Sequence, residues 1–256
     1  MKNELFSIGP VTIYGYGLMI GLGVLFCILM GMQRAKKHGL KEEAVIDIAI
    51  YGLIIGFLGA KLLYVIVEWE AFLKNPMSVL GTEGFVVYGG ISAGVIAAIV
   101  YCRIKKLKFL EYFDLLSASI ALAQGFGRIG CFLAGCCYGR ETDSCLGVVF
   151  PAGSIAPAGV KVLPTQLFSS AGDFAIMAFL LWHYKRRKYV GDTGFLYMLL
   201  YGIGRFFIEM LRNDNRGAVG VLSTSQFISI FIVTAALLLL WNNRKRGVAV
   251  LKESEQ

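Results

Sequence analysis

Seven stretches of about 20 mostly apolar residues recur along the chain, and no other feature limits its fold so strongly. They run roughly over Thr12–Met32, Ala44–Val67, Phe85–Cys102, Phe109–Leu133, Gln166–Trp182, Thr193–Leu211 and Ser225–Trp241. In hydrocarbon every backbone N–H and C=O must find its partner within the protein, so such runs cross as helices. The expected class is all-α: a polytopic membrane protein with seven transmembrane helices. Of 256 residues, 57% are hydrophobic and only 16% charged, well below the quarter usual in soluble domains. The hydrophilic gaps are too short to fold alone, so residues 1–256 read as one integral membrane domain, with an outer connection at 136–163 and a cytoplasmic tail at 242–256. The opening MKNELFSIGP carries an acid and lacks a small-residue cleavage site, so no cleavable signal is expected.

The net charge of +8 could suggest a nucleic-acid binder, but its distribution does not. Basic clusters follow runs one, three, five and seven (QRAKKHGLK, RIKKLK, HYKRRK, NNRKRG), while the intervening connections carry few Lys or Arg. That alternation is the positive-inside pattern and puts the N-terminus outside and the C-terminus in the cytoplasm. The charge then serves the inner leaflet, membrane lipids are the surroundings, and no nucleic-acid partner is expected. Gly52, Gly56 and Gly59, and again Gly89, Gly90 and Gly94, fall at helical spacing, as close helix packing in membranes requires.

Against this apolar background, a few polar residues stand out. Arg128, within GFGRIGCFLAGCCYGR, falls in a membrane run, where a guanidinium costs ~3 kcal/mol or more and is usually functional. Tyr201, Arg205, Glu209 and Arg212 are spaced i, i+4, i+8 and i+11, which predicts one helical face. An Arg–Glu pair there can be purely structural. Two arginines with one glutamate leave positive charge over, however, and Arg128 adds more. Such a pocket, reached from lipid, suits a phosphate, which arginine grips with two parallel bonds. Lys61, Gln166, Arg205 and Glu209 read as lying at a similar depth to Arg128, and Tyr16 and Tyr88 fall near the outer ends of runs one and three; tyrosines near span ends are also ordinary interface anchors.

Of six cysteines, Cys27 and Cys102 read as small apolar fillers. Cys131, Cys136, Cys137 and Cys145 lie at or beyond the outer boundary, as candidates for reactive thiols or for a Cys136–Cys145 or Cys137–Cys145 disulfide. No paired CxxC framework and no nearby histidine supports zinc, so neither a metal nor a cofactor is expected. His38 and His183 fall in segments assigned to the cytoplasm, which removes the usual general base from an outward site.

Taken in order, Tyr16-Gly-Leu-Met, Gly59-Ala-Lys-Leu-Leu-Tyr-Val65, Tyr88-Gly-Gly, Gly127-Arg-Ile-Gly130, Pro164-Thr-Gln-Leu, Tyr201-Gly-x-x-Arg-Phe-x-x-Glu-x-x-Arg212 and Ser223-Thr-Ser-Gln226 resemble the prolipoprotein diacylglyceryl transferases from about Ile13 to Ile230. The resemblance implies a bacterial inner-membrane enzyme that moves diacylglycerol from phosphatidylglycerol to the lipobox cysteine of a prolipoprotein signal peptide. A thioether forms and glycerol phosphate leaves. By the same resemblance Arg128 and Arg205 hold the phosphate, Glu209 orients Arg205, and Tyr16 and Tyr201 line the headgroup site. Tyr88, Arg128, Arg205 and Glu209 become the catalytic candidates, and Arg212, Gln166 and Lys61 join the substrate-binding set. The family typically has His where this chain has Tyr88, and Asn, Asn and Glu where it has Cys131, Ala134 and Cys136. A phenol is a poor base unless a cation assists it. Three other readings stay open: a phosphatidylglycerol-dependent transferase with another acceptor, a non-catalytic lipid-binding paralogue and, last, a thiol redox protein.

Overall fold

The structure, a computed structural model, describes residues 4–8, 11–81, 84–213 and 217–246. Its elements in order are β1 (Glu4–Ile8), β2 (Val11–Tyr14), α1 (Gly15–Lys37), α2 (Glu42–Val67), α3 (Trp69–Lys74), α4 (Pro76–Gly81), α5 (Val87–Ile104), α6 (Phe109–Ala134), β3 (Val148–Val149), β4 (Lys161–Val162), α7 (Thr165–Tyr184), α8 (Asp192–Met210), β5 (Ala218–Val219), β6 (Leu222–Ser223) and α9 (Thr224–Arg246). The strands form three antiparallel hairpins, β1–β2, β3–β4 and β5–β6. The fold is mostly helical, consistent with the expected all-α polytopic membrane class, and the hairpins are short pieces between or before the helices.

Among the described residues five helices, α1, α2, α5, α6 and α9, are long and apolar enough to cross a membrane. The expected spans five and six correspond to α7 and α8, which are 20 and 19 residues long but fall short of that test. Their polar residues, among them Gln166 and Asp173 on α7 and Arg205 and Glu209 on α8, lower their apolar character. The first span begins at Gly15 rather than Thr12, because Thr12 and Ile13 pair with Ser7 and Phe6 across a hairpin. In the last helix Asn242–Arg246, expected in the tail, continue α9; 247–256 lie outside the described residues.

The chain divides into two compact units, 31–112 and the remainder, 1–30 with 113–256. In the 31–112 unit α2 packs on α5 nearly backbone to backbone. A Cβ on Gly59 would stand 2.7 Å from the Gly89 carbonyl oxygen, and one on Gly56 would stand 3.2 Å from that of Gly90. Gly56, Gly59, Gly89, Gly90 and Gly94 thus pack as expected, while a Cβ on Gly52 would meet nothing within 4 Å. Tyr101 donates to Asp47 Oδ2 at 2.6 Å across the same pair. Lys61 Nζ donates to the carbonyls of Val79 at 2.9 Å and Gly84 at 3.4 Å, and sits 5.1 Å from the ring centres of Tyr64 and Phe85. Lys61 thereby ties α2 to the connection that leads into α5.

In the other unit Asp114 of α6, fully buried, accepts from the N–H groups of Gly191 and Gly194 at 2.7 Å each. Arg187 lies 3.4 Å from the same carboxylate. One acid thus caps the start of α8 and neutralises the basic loop before it.

Candidate functional site

The Gly125–Gly130 segment positions the first arginine. Gly125 leaves room for the Phe174 ring, whose Cε1 would lie 2.6 Å from a Cβ there, and Ser170 donates to the Gly125 carbonyl at 2.9 Å. This brings α7 against α6. Arg128 is three residues further on, hence near the same side of the helix. Gly130 falls on another side, against the Tyr16 backbone and ring of α1.

Arg128 meets two matching faces. Phe168, Ser169, Gly172, Asp173 and Ile176 of α7, and Tyr201, Gly204, Arg205 and Ile208 of α8, recur at helical spacing and line with Arg128 a cavity of about 60 Å³. Gly172 and Gly204 have nothing within 4 Å of the place a Cβ would occupy, so side chains there would reach into open space. The walls are apolar apart from a few groups. Arg128 makes no hydrogen bond or ion pair with the described residues, although Tyr201, Cys131, Asp173 and Cys137 lie within electrostatic reach. Arg205 Nη2 is 2.8 Å from Glu209 Oε2 and 3.0 Å from Ser225 Oγ, while its Nη1 is buried with no partner among the described residues. The Arg205–Glu209 pair expected from spacing is therefore formed, and one edge of the guanidinium remains for something else.

Asp173 is the residue that the sequence reading missed. It is 5% exposed, stands near both Arg128 and Arg205, and has a buried Oδ2 without a partner among the described residues. It changes the charge arithmetic: beside Arg128 and Arg205 stand two carboxylates, Asp173 and Glu209, rather than one. Its signal was a lone acid in the apolar run of α7. Tyr197, stacked on Tyr201 at 5.9 Å and donating to Gln124 Oε1 at 2.9 Å, was also missed.

Arg212 departs from the one-face expectation. Helix α8 ends at Met210, and Arg212 lies beyond it, bridged by its backbone to Gly139 of the 136–163 connection. Its guanidinium bonds to Cys137 instead of lining the cavity.

The 136–163 connection is a built cap. Phe150, Ala156 and Val162 form a small buried core, with Phe132 and Tyr138 against it. Helix α6 closes with Gly135 at φ +69°, Gly135 N–H bonded to Phe132 O and Cys136 N–H to Cys131 O, each at 3.1 Å. This closure commonly brings the side chains of the two outer positions together, here Cys131 and Cys136. Cys137 follows at φ +64°, a left-handed backbone rare outside glycine. Two buried side chains hold this turn: Gln166 Nε2 donates to Cys136 O at 2.6 Å, and Thr165 Oγ1 to Cys137 O at 2.9 Å. Gln166, expected to bind substrate, thus gives its Nε2 to the turn, while its Oε1 is buried with no partner among the described residues.

The result is three sulfurs, of Cys131, Cys136 and Cys137, all within 4.8 Å of one another. The expected bridge to Cys145 is not formed; all six cysteines are thiols, and Cys145 is exposed. Hydrogen bonds from Cys131 and Cys136, then the Arg212 guanidinium, hold the Cys137 thiol below its ordinary range, while its bonds to Cys131 and Cys137 push Cys136 up. Tyr16 lies within electrostatic reach of all three thiols and of Arg128. Tyr88 and Lys61 belong to the 31–112 unit; Tyr88 opens α5, where its carbonyl accepts from Ser92 Oγ at 2.9 Å.

The family model described as prolipoprotein diacylglyceryl transferase matches residues 3–242. The chain is 49% identical over 250 residues to phosphatidylglycerol–prolipoprotein diacylglyceryl transferase 2 of Clostridium perfringens, covering 96% of this chain and 97% of that protein. It is 47% identical over 235 residues to the transferase of Clostridium tetani, covering 91% and 94%. It is 37% identical over 259 residues to that of Finegoldia magna, covering the whole of both. On the match over residues 3–242 and these identities, the chain belongs to the prolipoprotein diacylglyceryl transferase family.

Proposed function

We propose that this chain transfers the diacylglyceryl group of phosphatidylglycerol to the lipobox cysteine of a prolipoprotein signal peptide, from a seven-span, N-out position in the bacterial cytoplasmic membrane. The observation that carries the reading is the pair Arg128 and Arg205. Two guanidiniums, one without an ion pair among the described residues and one with a buried unpartnered edge, face one apolar-walled cavity. A phosphodiester with acyl chains is the ligand that fits such a site: the arginines take the phosphate, and the apolar walls suit lipid. In the reaction the acceptor sulfur attacks the glyceryl carbon attached to phosphate. The S–C bond forms and the C–O bond breaks. The electron pair and a second negative charge pass to glycerol phosphate, and Arg128 and Arg205 stand where that charge develops. Glu209 and Ser225 fix Arg205; Tyr201 lines the headgroup side.

The relatives' names support the donor and acceptor, and the alternation of basic clusters supports the topology. The test uses purified protein in detergent with phosphatidylglycerol and a lipobox peptide, read by peptide mass and glycerol phosphate release. The expected result is a diacylglyceryl mass gain that Arg128→Ala abolishes. Glycerol phosphate without a peptide adduct would assign another acceptor; neither product would overturn the transferase reading.

A further inference from the structure

The transferase chemistry needs the acceptor cysteine as a thiolate, since the thiol is a poor nucleophile. His183, the one histidine of the unit made of 1–30 and 113–256, bonds to Thr193 at the far end of α7 from Gln166, which holds the cysteine turn. What stands at the end of α6 is a cluster of sulfur ligands.

We propose that Cys131, Cys136 and Cys137 form a three-thiolate Zn²⁺ site whose fourth position takes the acceptor cysteine, a proposal that rests on the transferase reading above. The sulfurs lie within 4.8 Å of one another. Zn–S bonds of about 2.3 Å place sulfurs about 4 Å apart, so small rotamer adjustments complete the triangle. The triangle is built into the backbone. The closure at Gly135 pairs Cys131 with Cys136, the left-handed Cys137 brings in the third sulfur, and Thr165 and Gln166 pin both carbonyls. A non-glycine residue at φ +64° is sparsely populated, and such strain collects at functional sites.

Three protein ligands with one open position is the arrangement of catalytic rather than structural zinc. All three cysteines are only partly buried, which leaves the open position reachable. Charge agrees as well. Three thiolates and one divalent ion carry a single net negative charge, and the Arg212 guanidinium bonds at Cys137 to balance it. Arg212 is then the partner of the metal site, and Arg128 and Arg205 are left to the phosphate. Arg128 is near Cys131 and Cys137, so nucleophile and leaving group meet where the two sites adjoin.

The step balances without redox chemistry. The acceptor thiol replaces a zinc-bound water, and its proton passes to solvent. The zinc-bound sulfur donates a pair to the glyceryl carbon as the C–O bond breaks, and glycerol phosphate leaves with that oxygen and its pair. The thioether product, a weaker ligand than a thiolate, is released, and water returns to the metal.

The test reads the metal before any turnover. The full chain in detergent, reduced and stripped by a chelator, is titrated with Co²⁺. The proposal expects about one Co²⁺ per chain with a thiolate-to-metal charge-transfer band and strong tetrahedral visible bands. Cys131→Ser and Cys137→Ser lose the signal; Cys145→Ala and Arg128→Ala keep it. Gln166→Leu weakens Co²⁺ affinity about 10–100-fold, as the loss of an outer-shell support does. A lipobox peptide shifts the bands, and its Cys→Ser version does not. Absence of stoichiometric binding, binding that survives in both serine variants, or bands blind to the cysteine peptide would overturn the proposal. Full diacylglyceryl transfer by the stripped protein would also overturn it while leaving the transferase reading intact. Peptide-sensitive Co²⁺ binding without any transfer would uphold the site and sink the transferase reading.

Discussion

The α2–α5 pair and the α6–α7–α8 group are built from the same kinds of residue and solve opposite problems. In α2 and α5 the glycines let two helices touch along their backbones, as Gly59 does against Gly89, and large apolar side chains such as Phe57, Leu62 and Ile96 stay exposed. In α6–α8 Gly125 and Gly130 admit a neighbour, but Gly172 and Gly204 open onto nothing and leave a cavity. The first pair uses small residues to close a gap, and the second group uses them to keep one open. Where the gap is open, arginines and carboxylates are buried around it. The difference shows that a glycine in a membrane helix is informative only once its neighbour is known.

The sharpest way to break this comparison is to separate structural from functional charge within the larger unit. Asp114→Ala removes the partner of Arg187 and the cap of α8, and should destabilise the fold by about 3–5 kcal/mol, read as a lower thermal unfolding temperature in detergent. Asp173→Asn keeps the shape but removes a charge between Arg128 and Arg205. It should lower diacylglyceryl transfer about 10-fold at nearly unchanged unfolding temperature, because it takes away the charge that attracts and orients both guanidiniums. Gly59→Ala should do the reverse. Its methyl would meet the Gly89 carbonyl, at a cost of about 1–3 kcal/mol in stability, while the turnover of the folded fraction is kept. If Gly59→Ala were neutral in stability, the contrast between closing and opening glycines would fail.

Long-range pattern was legible in the sequence; short-range closure was not. Helix α2 begins two residues before its expected start, and α6 matches to within one residue at its end, because apolar length alone fixes them. Helix α1 starts late because Val11–Tyr14, β-branched at three positions, prefer a hairpin to another helical turn. The i, i+4 spacing placed Tyr201, Arg205 and Glu209 on one face; Arg212 was counted with them although the expected run already stopped at Leu211, one residue past the observed end of α8 at Met210. Asp173 was hidden by the apolar run that carries it. The cysteine triangle was hidden by its spacing, which resembles no metal motif until Gly135 is read as the residue that closes α6 and turns Cys136 back on Cys131. Gln166 could be picked out as unusual, but its bond to the Cys136 carbonyl is tertiary and leaves no trace in sequence.

The central claim is that Arg128 and Arg205 together hold the phosphate of phosphatidylglycerol in the cavity they share. Native mass spectrometry of the protein and of its Arg128→Ala and Arg205→Ala variants, each offered phosphatidylglycerol and phosphatidylcholine, tests it directly. The account predicts a retained phosphatidylglycerol on the unmodified chain, its loss in each variant, and no comparable retention of phosphatidylcholine. Equal phosphatidylglycerol retention by all three proteins would contradict it.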